Sequence, residues 1–331
     1  MTRVSGWIIL DKPVGLGSTQ AVSAVKRNLR EAGFAKVKVG HGGTLDPLAE
    51  GVLPIALGEA TKITGRMLDA TKTYEFTILF GVETDTLDAE GEVTARSDRF
   101  PPMAAIAAIL PAFTGEIEQV PPAFSALKVD GKRAYDLARA GEDVQLKSRQ
   151  VTIHSLASSS GGLDQGRTPL ESAFATSAGR PDPFDPSVPL EAAESVTLVA
   201  KVSKGTYIRS LARDIAHALG TVAHVTMLRR LQAGPFTLDQ AISLDNLNEI
   251  GNGARLEQIL LPLEAGLDDI PALDLSPEQA RAVQQGRVLT GLSHKDGQYC
   301  ARAGQIPVAL MELVGGDARV VRGFNLQDVA E

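Results

Sequence analysis

The chain lacks the residues from which several common kinds of site are built. Its 331 residues include a single cysteine, Cys300, so no internal disulfide can form and no thiolate cluster is available. Five scattered histidines offer no metal-ligand spacing, and no structural metal is expected. No apolar run approaches the roughly 20 residues that a bilayer-spanning helix needs. The stretch from Gly6 to Leu10 is too short for the core of a secretion signal. These absences lead to the expectation of a soluble, cytoplasmic protein with no membrane contact.

Positive charge is also scarce overall. The net charge is −7, whereas a phosphate-binding surface ordinarily leaves a basic footprint. The distribution is uneven, however. Residues 1–40 hold seven basic residues (Arg3, Lys12, Lys26, Arg27, Arg30, Lys36, Lys38) against two acids. Residues 201–230 hold six (Lys201, Lys204, Arg209, Arg213, Arg229, Arg230) against Asp214 alone. One such cluster reads as a solvated face; two, each beside a candidate motif, point to an RNA-facing cleft on an acidic body.

What is present fits a globular protein, with 44% hydrophobic and 22% charged residues, enough apolar surface for a sizeable core. The pattern predicts a strand over 6–11 and then a helix from Ser18, where Val22, Val25 and Leu29 recur at helical spacing until Gly33. Asp46 precedes Pro47, which biases it toward extended loop geometry. A strand from Val52 to Leu57, a helix from about Glu59 to Leu68, and an alternating strand from Tyr74 to Gly81 follow. A polar turn then carries Asp85 and Asp88.

Helices are expected near Pro102–Phe113 and Ala134–Ala140. Residues 155–195, with the run Ser158 to Gly162 and five prolines, read as an exposed insertion. A strand from Val196 to Val202 leads to a helix whose Ile208, Leu211, Ile215 and Leu219 share one face. Near the C-terminus, Ser276, Pro277 and Gln279 spell a capping box with proline at the first helical position. Short strands after it suggest a small β-rich domain. The expected division is residues 1–255 and 260–331.

The densest motif runs from Gly40 through His41, Gly42, Gly43, Thr44, Leu45, Asp46 and Pro47 to Pro54, then from Gly58 to Lys62. Its glycines fit neither a Walker loop nor a dinucleotide fingerprint. On residue type alone, Asp46 is a turn former or cap as readily as a catalytic acid. Arg209, Tyr74, Tyr207, Leu228, His41, Lys12, Lys62 and Asp88 likewise read as surface, strand, core or turn residues.

The pattern as a whole resembles the catalytic motif of the TruB family of pseudouridine synthases. Leu10 to Gly15 is similar to that family's N-terminal motif, and Lys72-Thr73-Tyr74 to its tyrosine motif. Further similarity lies in Pro122 to Lys128, Ser203 to Leu211 and Leu228 to Leu231, in the family's order. Gly42 departs from it, standing where many members have threonine or alanine. The C-terminal segment more distantly resembles a PUA-type RNA-binding domain.

The resemblance implies an α+β pseudouridine synthase fold with a central, mostly antiparallel mixed sheet, followed by the PUA-like domain. It implies isomerisation of uridine 55 in the T-arm loop of tRNA, with no cofactor. Asp46 would be the catalytic carboxylate, Tyr74 would stack on the flipped base and Arg209 would pair with Asp46. His41 would fill the gap the base leaves, and Tyr207 and Leu228 would shape its pocket. Lys12 and Lys62 would lie near the active site and Asp88 would face the RNA. A monomer with no obligate protein partner is expected. Two rivals stand beside this reading: a guide-RNA-dependent synthase acting on ribosomal RNA, and a tRNA-folding chaperone.

Overall fold

The computed structural model describes residues 4–34, 36–125, 127–129, 131–142, 144, 146–159, 192–251 and 256–326. The larger strands in chain order are β1 (Gly6–Lys12), β2 (Val39–His41), β3 (Glu50–Leu57), β4 (Lys72–Phe80), β5 (Gly115–Gln119), β6 (Arg149–Ser158), β7 (Ser195–Val202) and β8 (Ala223–Ala233). The C-terminal strands are β9 (Ala272–Asp274), β10 (Gly297–Ala303), β11 (Ile306–Val314) and β12 (Asp317–Gly323). The helices are α1 (Ser18–Glu31), α2 (Thr64–Asp69), α3 (Met103–Ile109), α4 (Ala134–Arg139), α5 (Ile208–Ala218), α6 (Leu244–Gly251) and α7 (Pro277–Gln284). The chain is therefore mixed α+β, with a central sheet and a β domain at its C-terminal end.

Two compact units form. The first gathers residues 1–47, 51–69 and 233–331, and the second residues 48–50 and 70–232. In the first, β1 runs antiparallel to β3, with Gly6 opposite Leu57 and Lys12 opposite Gly51. Trp7 and Ile9 point from β1 into a cluster that also holds Val52, Met67, Phe236, Leu267, Leu310 and Phe324. The indole N–H of Trp7 donates to the Leu263 carbonyl at 3.0 Å, which satisfies the one polar atom of a fully buried ring. The N-terminal strand thus shares its core with the C-terminal β domain. That domain pairs β9 parallel to β10 and runs β10, β11 and β12 antiparallel, with α7 started by the expected box: Gln279 N–H to Ser276 Oγ at 3.2 Å and Ser276 N–H to Gln279 Oε1 at 2.9 Å.

In the second unit, β4 lies antiparallel to β7, β7 to β6, and β6 to β5. The row Phe76, Ile78, Phe80 of β4 is buried, as period-two alternation requires of a one-sided strand. All four residues expected on the inner face of α5 are buried. Several elements differ from expectation. The helix foreseen over Glu59–Leu68 is a 3₁₀ turn, Gly58–Lys62, followed by α2; that foreseen over Pro102–Phe113 tightens into 3₁₀ after α3, where Pro111 cannot donate. The expected insertion over 155–195 lies largely outside the described residues; its described ends continue β6 and lead into β7.

Candidate active site

Asp46 sits in the loop between β2 and β3, half-buried. Both of its neighbours are pinned within the first unit. On one side, Ser18, the first residue of α1, accepts from the Leu45 N–H at 2.8 Å and donates to the Leu45 carbonyl at 2.9 Å. On the other, the Pro47 carbonyl accepts from the Gly15 N–H at 2.8 Å and from the Lys12 ammonium at 3.4 Å. Lys12 is 0% exposed, and its ammonium also donates to the carbonyls of Leu16 at 2.7 Å and Pro13 at 2.9 Å. A buried ammonium must be covered by acceptors, and here backbone carbonyls of the two flanking loops supply them.

Sequence reasoning set Lys12 beside the active site but missed Ser18. A serine opening a helix suggests a cap, and this one bonds instead to a loop 27 residues away.

The rest of this loop is closely packed. His41 accepts from the Gly43 N–H at Nδ1, 3.4 Å away, and Gly42 donates to the Pro54 carbonyl at 2.8 Å. A Cβ at Gly42 would lie 2.6 Å from the Cβ of Met67, so in this chain the position has no room for a side chain. Lys62 pairs with Glu59 at 2.6 Å and donates to the Gly323 carbonyl at 2.9 Å, which ties it to the end of β12.

The second unit holds Tyr74, Asp88, Tyr207, Arg209 and Leu228. Tyr74 continues the Phe76–Ile78–Phe80 row past the edge of the core and is half-buried. Leu228, on β8, is buried. Arg209 is 5% exposed in the first turn of α5. Its guanidinium meets Asp88 at 3.1 Å, the Thr86 carbonyl at 2.7 Å and the Phe124 carbonyl at 3.0 Å. Asp88 in turn accepts from Thr86 Oγ1 at 2.5 Å and from the Glu90 N–H at 3.1 Å. Burying two opposite charges is tolerable only where further hydrogen bonds cover both, and this pair has them.

Asp88 is thus 3% exposed and not the solvent-facing turn residue that its polar surroundings suggest. Its partner, 121 positions away in the chain, cannot be inferred from local composition.

The basic cluster over 201–230 also needs correction. Arg209 and Arg230 are buried, Arg213 pairs with Asp214 at 2.8 Å and Arg229 with Glu50 at 3.1 Å. Three of the six, Arg209, Arg213 and Arg229, thus pair with the protein's own carboxylates. The cluster on α1 differs, because Lys26, Arg27 and Arg30 are exposed.

Tyr207 precedes α5 with extended backbone. Its N–H donates to Gln119 Oε1 at 2.8 Å, and the Arg149 guanidinium lies 4.8 Å from the centre of its ring. Neither Gln119 nor Arg149 stood out in the sequence.

Comparison with known proteins bears on this arrangement. Residues 27–171 match the family model described as TruB family pseudouridylate synthase (N terminal domain). Residues 209–268 match the one described as tRNA pseudouridylate synthase B C-terminal domain. The chain is 65% identical to a tRNA pseudouridine synthase B of Novosphingobium aromaticivorans, over 99% of this chain and all of that protein. It is 55% identical to that of Zymomonas mobilis, over 97% of this chain and 96% of the other.

Among solved structures, an H/ACA RNP bound to a substrate RNA containing 2'-deoxyuridine superposes with TM-score 0.68 at 24% identity, covering 98% of this chain and 87% of that one. A Cbf5-Nop10-Gar1 complex gives 0.67 at 25% identity, with the same coverage.

Proposed function

Because the chain belongs to the TruB family of pseudouridine synthases and isomerises uridine to pseudouridine in tRNA, we propose that its target is uridine 55 of the T-arm loop and that Asp46 is the carboxylate on which the rearrangement depends. The observation that carries this reading is the near-full-length likeness at 65% identity to a tRNA pseudouridine synthase B. The chemistry requires the C1′–N1 bond to break, the uracil to turn, and a C1′–C5 bond to form; the proton on C5 leaves and N1 gains one. A single ionised carboxylate suffices to carry the detached group or to stabilise the electron-poor ribose.

In this reading the pins on Leu45 and Pro47 leave Asp46 little freedom, so the loop is set before the base arrives. The Asp88-supported Arg209 supplies a fixed cation in the second unit, and Tyr74 supplies an aromatic face for a base drawn out of its loop. Tyr207 and Leu228 shape the pocket for that base, and His41 fills the place it vacates. Lys12 acts through the loop, and Lys62 and Asp88 through their protein partners.

The exposed basic face of α1 meets the RNA backbone, and the C-terminal β domain, of PUA-like character, adds RNA surface. In this reading the protein works in the cytoplasm, as a single chain without a guide RNA; no helix among the described residues is long and apolar enough to cross a membrane. A T-arm stem-loop tritiated at uracil C5 tests the reading. Label should be released stoichiometrically with the uridine at position 55. Release that persists when that position is cytidine, or none at all, would refute the assignment.

A further inference from the structure

We infer that Arg149 and Gln119 are positioning residues for Tyr207, gripping its ring and its backbone from one cross-strand pair. The inference rests on the reading that Tyr207 borders the base pocket. Arg149 of β6 and Gln119 of β5 stand directly opposite one another in the antiparallel ladder. From that pair, Gln119 Oε1 accepts the Tyr207 N–H at 2.8 Å, while the Arg149 guanidinium lies 4.8 Å from the ring centre, within the range of a cation–π contact.

Two further observations show that this contact is built into the fold. Gly205 has φ +80°, and a Cβ there would lie 3.6 Å from Arg149 Cζ and Nη1, so the turn before Tyr207 is a glycine turn against the guanidinium. The turn is fastened to β6 by reciprocal bonds of 2.8 Å, Ser203 N–H to the Thr152 carbonyl and Thr152 N–H to Ser203 Oγ. The grip also has a cost. Gln119 is 1% exposed, yet its Nε2 is buried without a hydrogen-bond partner, as is Arg149 Nε. Orphaned buried donors are uncommon in native proteins and call for an explanation; here both belong to the two residues that hold one tyrosine. Tyr207 in turn leads directly into α5, whose second residue is Arg209. Fixing Tyr207 therefore fixes both an aromatic wall and the entry of the helix that carries the buried cation.

The test is a mutant cycle on bulk tRNA tritiated at uracil C5, with far-UV circular dichroism melts showing that each variant is folded. Arg149→Met should lower kcat by about twofold to thirtyfold, the range of one cation–π contact, and leave KM and the salt dependence of tRNA binding unchanged. Arg149→Lys should recover part of the loss. In a Tyr207→Leu background, Arg149→Met should cost nothing more, because the ring it holds is gone.

A rise in KM with a shallower salt dependence would show a phosphate contact instead and overturn the inference. So would unchanged kinetics, or losses that multiply in the double variant. Release from the isolated T-arm stem-loop is scored separately, so failure of the position-55 assignment is distinguishable from failure of the Arg149–Gln119 grip.

Discussion

Arg209 shows how much of a residue's behaviour lies in groups remote from it in sequence. Its charge is buried, and it is covered by Asp88, Thr86 and Phe124, between 85 and 123 positions away. Removing the Asp88 carboxylate takes a buried counter-charge from that cation. Asp88→Ala should therefore destabilise the protein by about 3–5 kcal/mol, read as a lowered urea midpoint, with a proportionate loss of turnover. A change below about 1 kcal/mol would mean that the remaining partners of Arg209 suffice. Cys300 behaves oppositely, as an inert core thiol. Burial first, and Glu264 second, push its pKa from 9.0 up to about 11. Folding favours the protonated thiol, so its contribution to stability is complete below about pH 9 and is lost as pH rises toward 11. Replacing Cys300 with alanine should flatten the fall in stability over that alkaline window, and the native thiol should resist alkylation at pH 8 until the chain is unfolded. Rapid alkylation of the native protein would contradict its burial.

At the scale of elements, the loop carrying Asp46 is held from outside itself. Ser18→Ala deletes both bonds to Leu45 while leaving α1 a good helix start. It should lower kcat about tenfold, since a pair of buried hydrogen bonds is worth about 1–3 kcal/mol, while tRNA affinity stays the same; an unchanged kcat would show that the Pro47 side alone positions the loop. The sequence made some elements legible and not others. β1, α1, β4, α5 and α7 could be read because their apolar period or cap chemistry is local. β5 and β6 could not, because Gly115–Gln119 carries three polar side chains and Arg149–Ser158 mixes exposed and buried positions around a bulge at Ile153–Ser155. β8 was hidden by Arg229 and Arg230, which look like surface charge, whereas Arg229 pairs with Glu50 and Arg230 is buried. The family motifs supplied the candidate residues, whereas Ser18, Gln119 and Arg149 emerged only with tertiary contacts, since each touches a residue far along the chain.

For the molecule as a whole, the single tryptophan reports on the first unit. Trp7 is 0% exposed among residues drawn from both ends of the sequence, so its emission should be blue-shifted and unfold together with the C-terminal strands. Removing residues 260–331 should red-shift that emission and reduce solubility, because Met67, Ile63 and Trp7 lose their cover; an unshifted spectrum would mean that the N-terminal segment packs on its own. The central claim concerns chemistry at one carboxylate. Its most direct test is single-turnover release of C5 tritium from T-arm RNA by Asp46→Asn at enzyme concentrations that saturate the RNA. The account predicts that binding stays within about twofold of the wild type while release falls by at least about a thousandfold, as for loss of an essential covalent or electrostatic catalyst. Release at a rate near the wild type's would contradict it.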